Sequence, residues 1–353
     1  MTIGEAEDRA SNRVLIPPMK GAPERPPSDV VWSLTGETMG TEWFARAVPP
    51  LNTDRAAVAA AVQAELDAVV GLFSPWVRSS EISRFNTAPA GMWAVSPEFW
   101  SLVDQSMDLA DETNGAVDPT LGALVDLWGF GPPGLRPETG PSTPTDEEIA
   151  AAMAVSGWHK LRMHRDGRGL MQMGGMKLDL SGIAKGHAVD RVSDRLTALG
   201  LTSHLVEIGG ELKGRGVKPD GQPWWVELER SPDSDQPKTV VALVDIAVAT
   251  SGDYRRAFEA DGKLYPHTLD GWTGRPIANG VTSVTVLHDS AMKADAYATA
   301  LTVMGAAEGA DYAAMLGLAA HIVERTPEGP IERMTAAFAA MMEEGADDAT
   351  ETS

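Results

Sequence analysis

Two hydrophobic periods run along this chain, and each predicts its own kind of element. In residues 53–73, Val58, Val62, Leu66, Val69, Val70 and Phe73 recur at helical spacing among many alanines, which predicts an amphipathic helix. Ser96 as a cap and Pro97 at the first helical position open a second helix over 96–111. Thr145 with Glu148 three residues later is a capping box, the start of a helix to about residue 155. Further helices are predicted over 182–199, 290–304 and 306–316. Strands are predicted over 30–34 and 42–48, paired around a turn at 36–41. Others follow at 203–208, 211–217, 224–229, 239–244, 283–287 and 319–323. Residues 158–179 read as short strands with turns at Asp166-Gly167 and Gly174-Gly175, and GPPGLRPETGPSTPT (131–145) as a long surface loop.

Helices and strands come in mixed runs rather than strict βαβ alternation, and no repeat of solenoid period is present. The pattern predicts an α+β fold: a single two-lobed domain over residues 29–340, with mixed or antiparallel sheets and packed helices. The polar, Pro-rich residues 1–28 are expected to be a disordered arm. Residues 341–353, with Glu343, Glu344, Asp347, Asp348 and Glu351, are expected to be a solvated acidic tail.

Charge narrows the partners. With 50 acidic against 29 basic residues the net charge is −21, so nucleic acid and anionic membrane should be repelled. A phosphate-bearing substrate would need a local positive site: a cation, a lysine or backbone N–H groups. The chain has no cysteine, which excludes disulfides, thiolate nucleophiles and cysteine-based metal centres. No secretory signal and no stretch of about 18 apolar residues is evident, so a cytoplasmic protein without a membrane span is expected.

Three segments and a set of turns carry candidate chemistry. In KLDLSGIAKGHAVDRV (177–192) a strand ending at Asp179 runs through a glycine turn into a helix, with Lys185 in its first turn. Free N–H groups and the dipole at such a helix start suit a phosphate, although ordinary strand–turn–helix connections share the pattern. In DSAMKADAYATALTVMG (289–305), Asp295 and Thr299 are one helical turn apart among small and apolar residues. That pair is either a hard-oxygen site suited to Mg²⁺ or a solvated Asp beside a core Thr. In YPHTLDGWTGRPI (265–277), His267 is a candidate general base or a structural histidine. The turns at Met39-Gly40-Thr41 and 114–120 could let a ligand approach the backbone, and Trp76 follows Pro75 where an indole could stack on a flat ring or act as a core lid.

Taken in order, eight segments resemble the FAD:protein FMN transferase family, also called ApbE-type. They are MGT (39–41), SSEISRFN (79–86), GAVDPTLGALVDLWGFG (115–131), LDLSGIAKGHAVD (178–190), LVEIGGELKGRG (205–216), IAVATSGDYRR (246–256), HTLDGWTGRPI (267–277) and SVTVLHDSAMKADAYATALTVMG (283–305). The resemblance covers nearly all of residues 30–325 and implies an FAD-binding cleft between the lobes. It implies Mg²⁺ held by the Asp295 and Thr299 side chains and the Gly182 carbonyl. It places FAD against Met39, Trp76, Ala116, Val117, Asp118, Asp179, Lys185 and Leu269, and makes His267 the base. The implied reaction moves FMN from FAD onto a Thr or Ser hydroxyl of an acceptor protein, near a glycine, and releases AMP. An FAD pyrophosphatase of the same architecture and a non-catalytic FAD-binding protein are the alternatives. No Rossmann-type GxGxxG, following a strand and opening a helix, is found, which argues against a nicotinamide-linked redox flavoenzyme. Two features depart from the family: no export signal, and Gly271 after Asp270 where relatives often have proline.

Overall fold

The computed structural model describes residues 13–132 apart from 20 and 25, residues 143–230, and residues 237–342 apart from 254, 255 and 261. The acidic tail beyond 342 and most of the proline-rich loop at 131–145 lie outside the described residues.

Eight strands make one antiparallel sheet: Trp32–Thr38, Thr41–Val48, Ser203–Ile208, Glu211–Arg215, Ile246–Gly252, Val281–His288, Ala319–Thr326 and Gly329–Met334. Each strand pairs with the one before it in this list, so the sheet is an up-and-down meander. The helices are insertions between meander strands. The largest insertion, between Val48 and Ser203, carries the Arg55–Phe73, Pro97–Glu112, Asp146–Val155 and Ala184–Ala198 helices. Ala291–Met304 and Ala306–Met315 sit between the sixth and seventh strands.

Side chains alternate across the strands, so the sheet feeds two cores, one on each face. Trp43, Ala45, Val206, Ala247, Val284, Val286 and Ile322 face the helices. Phe44, Leu205, Leu212, Val248 and Leu287 face a smaller three-stranded sheet and Phe338. A third cluster, Leu121, Leu124, Trp128, Phe130, Ile149 and Leu269, forms the second lobe. The α+β, two-lobed expectation holds.

Local departures have physical causes. Residues 13–15 do not belong to a disordered arm: Arg13–Leu15 pairs in parallel with Thr239–Leu243, and Leu15 is fully buried under Trp224 and Phe338. The turn predicted at 36–41 shrinks to Met39-Gly40, both left-handed. Gly36 stays in the strand opposite Trp43, because a Cβ there would meet the Trp43 indole at 2.6 Å. Among the described residues one helix, Arg55–Phe73, is long and apolar enough to cross a bilayer by length and composition. In this fold its stripe Val58, Val62, Leu66, Val69 and Phe73 is buried in the main core, and Glu65 on it binds Arg191 at 2.6 Å.

Candidate active site

A cleft opens where the second lobe meets one end of the meander. Its walls bring together segments that are far apart in sequence: Trp76, Ala116 to Asp118, Asp179 to Lys185, Glu211, Thr250 to Gly252, Arg256, His267 to Leu269, Asp295 and Thr299. Every site residue predicted from sequence lines this cleft except Met39. Met39 sits at the left-handed turn between the first two strands, packed on the main core. Thr41 of the same turn and the Lys185 stem both approach Gly209.

One corner of the cleft is built from oxygen donors. The Ala184–Ala198 and Ala291–Met304 helices cross so closely that a Cβ on Gly186 would lie 2.2 Å from the Ala291 carbonyl oxygen. The contact lets the Gly186 N–H donate to Asp295 Oδ2 at 3.0 Å. Asp295 is 4% exposed, so the carboxylate is held in a nearly dry wall. Gly182 faces Thr299, whose Oγ1 would be 3.2 Å from a Cβ at that position, and Ser251 Oγ is 3.4 Å from the same hydroxyl.

The crossing of the two helices is fixed from outside the cleft by Asp190. Its carboxylate accepts from Ser290 Oγ at 2.7 Å and from the Ala291 and Met292 N–H groups, capping the helix that carries Asp295. It also binds Lys213 Nζ at 2.6 Å. Burial pushes this carboxyl up, but Lys213 and the cap outweigh that and hold it below the usual carboxylate range.

The next part of the wall carries charge. Lys185 Nζ binds Glu211 Oε1 at 2.5 Å, and the Glu211 side chain is only 1% exposed. The strand expected to end at Asp179 is reduced to an isolated bridge at Lys177, and the segment is clasped instead by Asn86, whose amide donates to the Leu178 carbonyl at 2.8 Å and accepts from its N–H at 2.7 Å. Burial raises the Asp179 carboxyl above its ordinary range. Asp118 is raised by burial too, against hydrogen bonds from Thr120 and the Trp158 N–H. Oδ1 takes the Thr120 N–H and hydroxyl, and Oδ2 takes the Trp158 N–H at 3.0 Å. These bonds make Asp118 an organiser of the 116–120 turn.

The far wall is aromatic. Trp76 is 48% exposed at the cleft, and the Arg256 guanidinium lies 5.5 Å over its ring. Phe130 edges onto the His267 ring at 6.4 Å. The Arg256 carbonyl takes the His267 backbone N–H at 3.0 Å and lies 3.1 Å from His267 Nδ1. A carbonyl can only accept, so this contact assigns the proton to Nδ1 and leaves Nε2 as the basic nitrogen.

The donor set tests whether a cation fits. Asp295, Thr299, Ser251 and the Gly182 main chain are all hard oxygen donors, and a Cβ at 182 would press on Thr299 at 3.2 Å. Among the described residues no three His, Cys, Asp or Glu side chains cluster as a full metal cage. Such a set fits Mg²⁺, which takes one or two carboxylates and completes its shell with water and substrate phosphate, better than it fits Zn²⁺.

Sequence reasoning missed Ser251, Glu211, Arg256 and Phe130 as cleft residues, and Asn86 and Asp190 as their supports. Asn86 and Asp190 end two of the quoted segments, SSEISRFN and LDLSGIAKGHAVD, so their positions were visible while their partners were not.

Fold and cleft together define an α+β enzyme with an oxygen-lined corner, a lysine paired to a buried glutamate and an aromatic wall. The model of the ApbE family matches residues 39–322, and the chain belongs to that family. It is similar to an FAD:protein FMN transferase of Vibrio cholerae, 39% identical over 319 residues that cover 89% of this chain and 93% of the relative. An Escherichia coli (strain K12) FAD:protein FMN transferase is 35% identical, covering 88% of each. Among solved structures, the apo flavinyl transferase ApbE of Pseudomonas stutzeri superposes with a TM-score of 0.81 at 38% identity, over 89% of this chain and 97% of that one. A Thermotoga maritima ApbE protein gives 0.80 at 31% identity, over 89% and 100%.

Proposed function

We propose that this chain transfers FMN from FAD to a Thr or Ser hydroxyl of an acceptor flavoprotein, with Mg²⁺, and releases AMP. One observation carries the reading: Asp295, Thr299, Gly182, Lys185, Trp76 and His267, from four distant segments, line a single cleft in a member of the ApbE family. Trp76 offers its face to the isoalloxazine ring. Lys185, held in place by Glu211, lies beside the start of the Ala184–Ala198 helix and meets the pyrophosphate. Asp295, Thr299 and the Gly182 carbonyl would hold Mg²⁺, which supplies charge neutralisation on the phosphates. His267 Nε2 takes the proton of the acceptor hydroxyl as its oxygen attacks the FMN phosphorus. The phosphoanhydride bond breaks, and its electron pair leaves on AMP. Transfer of this kind rests on positioning and charge stabilisation, so no cysteine or serine nucleophile is required.

AMP release tests the reading. Purified protein is given FAD with and without Mg²⁺, and with and without an acceptor domain bearing a Thr or Ser near a glycine. Acceptor-dependent AMP, abolished by a chelator and by Asp295→Ala, is expected. His267→Ala is expected to slow release roughly 10²–10⁴-fold while FAD still binds. AMP and free FMN formed at full rate without acceptor would replace the transferase with a pyrophosphatase. FAD that is bound and never cleaved would leave a flavin binder.

A further inference from the structure

Arg256 is the cation of the aromatic wall, yet the transfer scheme above gives its side chain no part. Of the described residues lining the cleft, two are Lys or Arg: Lys185 and Arg256. They face four carboxylates, Asp118, Asp179, Asp295 and Glu211. Lys185 is committed to Glu211 at 2.5 Å. The Arg256 guanidinium is instead held by uncharged groups: Nη2 donates to the Phe130 carbonyl at 3.1 Å, and Cζ lies over the Trp76 ring. Its field reaches Asp179, where it opposes the effect of burial. Its own carbonyl orients His267.

This placement has a consequence for phosphoryl transfer. The FMN phosphate brings negative charge into a cleft whose side chains are already net acidic, and charge grows on the leaving oxygen as the anhydride opens. A planar guanidinium matches two phosphate oxygens at once. Its present contacts are weaker: one neutral hydrogen bond and one cation–ring contact. Exchange of those contacts for phosphate oxygens is therefore favourable, and the Trp76 face is cleared for the flavin ring in the same movement.

We propose that Arg256 is a catalytic residue of the transfer: as FAD enters, its guanidinium leaves Trp76 and binds the non-bridging oxygens of the FMN phosphate during attack. The inference rests on the transfer reading. In the step, the bond from the acceptor oxygen to phosphorus forms and the bridging P–O bond breaks. The electron pair leaves with AMP, the proton goes to His267, and Arg256 exchanges no proton.

The test compares wild type, Arg256→Ala and Arg256→Lys in single-turnover FMN transfer to an acceptor domain. FAD affinity is read by flavin fluorescence and folding by circular dichroism. Arg256→Ala is expected to slow transfer about 10²–10³-fold while FAD Kd stays within about tenfold of wild type. Added guanidinium ion should restore part of the rate in Arg256→Ala and none in wild type. Arg256→Lys should recover part, because a lysine keeps the charge and loses the fork. A wild-type rate in folded Arg256→Ala overturns the proposal. So does a loss of FAD affinity that matches the loss of rate. A wild-type protein that moves no FMN removes the transfer reading itself, and is recognised before any variant is compared.

Discussion

Gly186→Ala puts the geometry of the oxygen corner to a quantitative test. The new Cβ would stand 2.2 Å from the Ala291 carbonyl oxygen, 2.6 Å from its carbon and 2.8 Å from Asp295 Cβ. Carbon–oxygen contacts at packing distance are well over 3 Å, so the two helices must separate by about 1 Å. Alanine gains at most about 1 kcal/mol over glycine in a helix, and Gly186 stands in the first turn of this one. Overpacking of a tight core costs typically about 1–3 kcal/mol, and here the opposing atoms are main chain and cannot rotate away. The net expectation is a loss of up to about 2 kcal/mol, read by urea unfolding. Turnover should suffer more, because the Gly186 N–H to Asp295 bond at 3.0 Å opens and the carboxylate shifts against Thr299 and Gly182. A displacement of about 1 Å at a reacting centre can cost about 10²-fold, and the Mg²⁺ concentration for half-maximal transfer should rise in parallel. A variant with wild-type stability, rate and Mg²⁺ response would mean that the crossing of the two helices does not set the corner.

Two further outcomes follow from the wall and the buried histidines. Trp76→Ala should weaken FAD binding by about 1–3 kcal/mol, the value of one stacked ring, measured as flavin-fluorescence Kd, with the transfer rate at saturating FAD far less affected. An unchanged Kd would place the flavin ring elsewhere. Burial lowers His187 and His204 to about 4, and both fold in the neutral form. His204 meets Ser193 Oγ at 2.8 Å and the Leu201 carbonyl at 2.7 Å; burial keeps the ring neutral although that carbonyl favours the proton. The unfolded chain binds these protons near pH 6.5 and the folded one only near 4, so this stability is whole above 6.5 and drains as pH falls between the two values. Each histidine contributes a slope of about 1.4 kcal/mol per pH unit across that window, and urea unfolding at stepped pH should show it. A flat profile from pH 6.5 to 4 would contradict the burial account.

How much was legible in the sequence depended on whether the signal was local. Helix starts were read correctly where a side chain caps its own N-terminus: Ser96 on Phe99 N–H, the Thr145–Glu148 box, and Ser290 on Lys293 N–H. The strand Ile246–Gly252 was not read from periodicity, because in the fold Ala247, Val248, Ala249 and Thr250 are all buried and the segment shows no alternation. The hairpins at Ala257–Ala260 with Lys263–Pro266, and Leu269–Asp270 with Arg275–Pro276, are short and carry few branched residues. The site shows the same split. Asp295 and Thr299 share one helix face and could be paired from spacing alone. Arg256 meets Trp76 and Phe130 only because the chain between the fifth and sixth meander strands folds back over the cleft, a contact without a local sequence signature.

The most direct test of the central claim is the intact mass of an acceptor domain after incubation with this protein, FAD and Mg²⁺, with peptide mapping of the modified residue. The account predicts an acceptor heavier by one esterified FMN on a Thr or Ser, formed one-for-one with AMP and absent with Asp295→Ala. An acceptor of unchanged mass after FAD has been fully converted to FMN and AMP would contradict it, because water would then be the group that His267 activates.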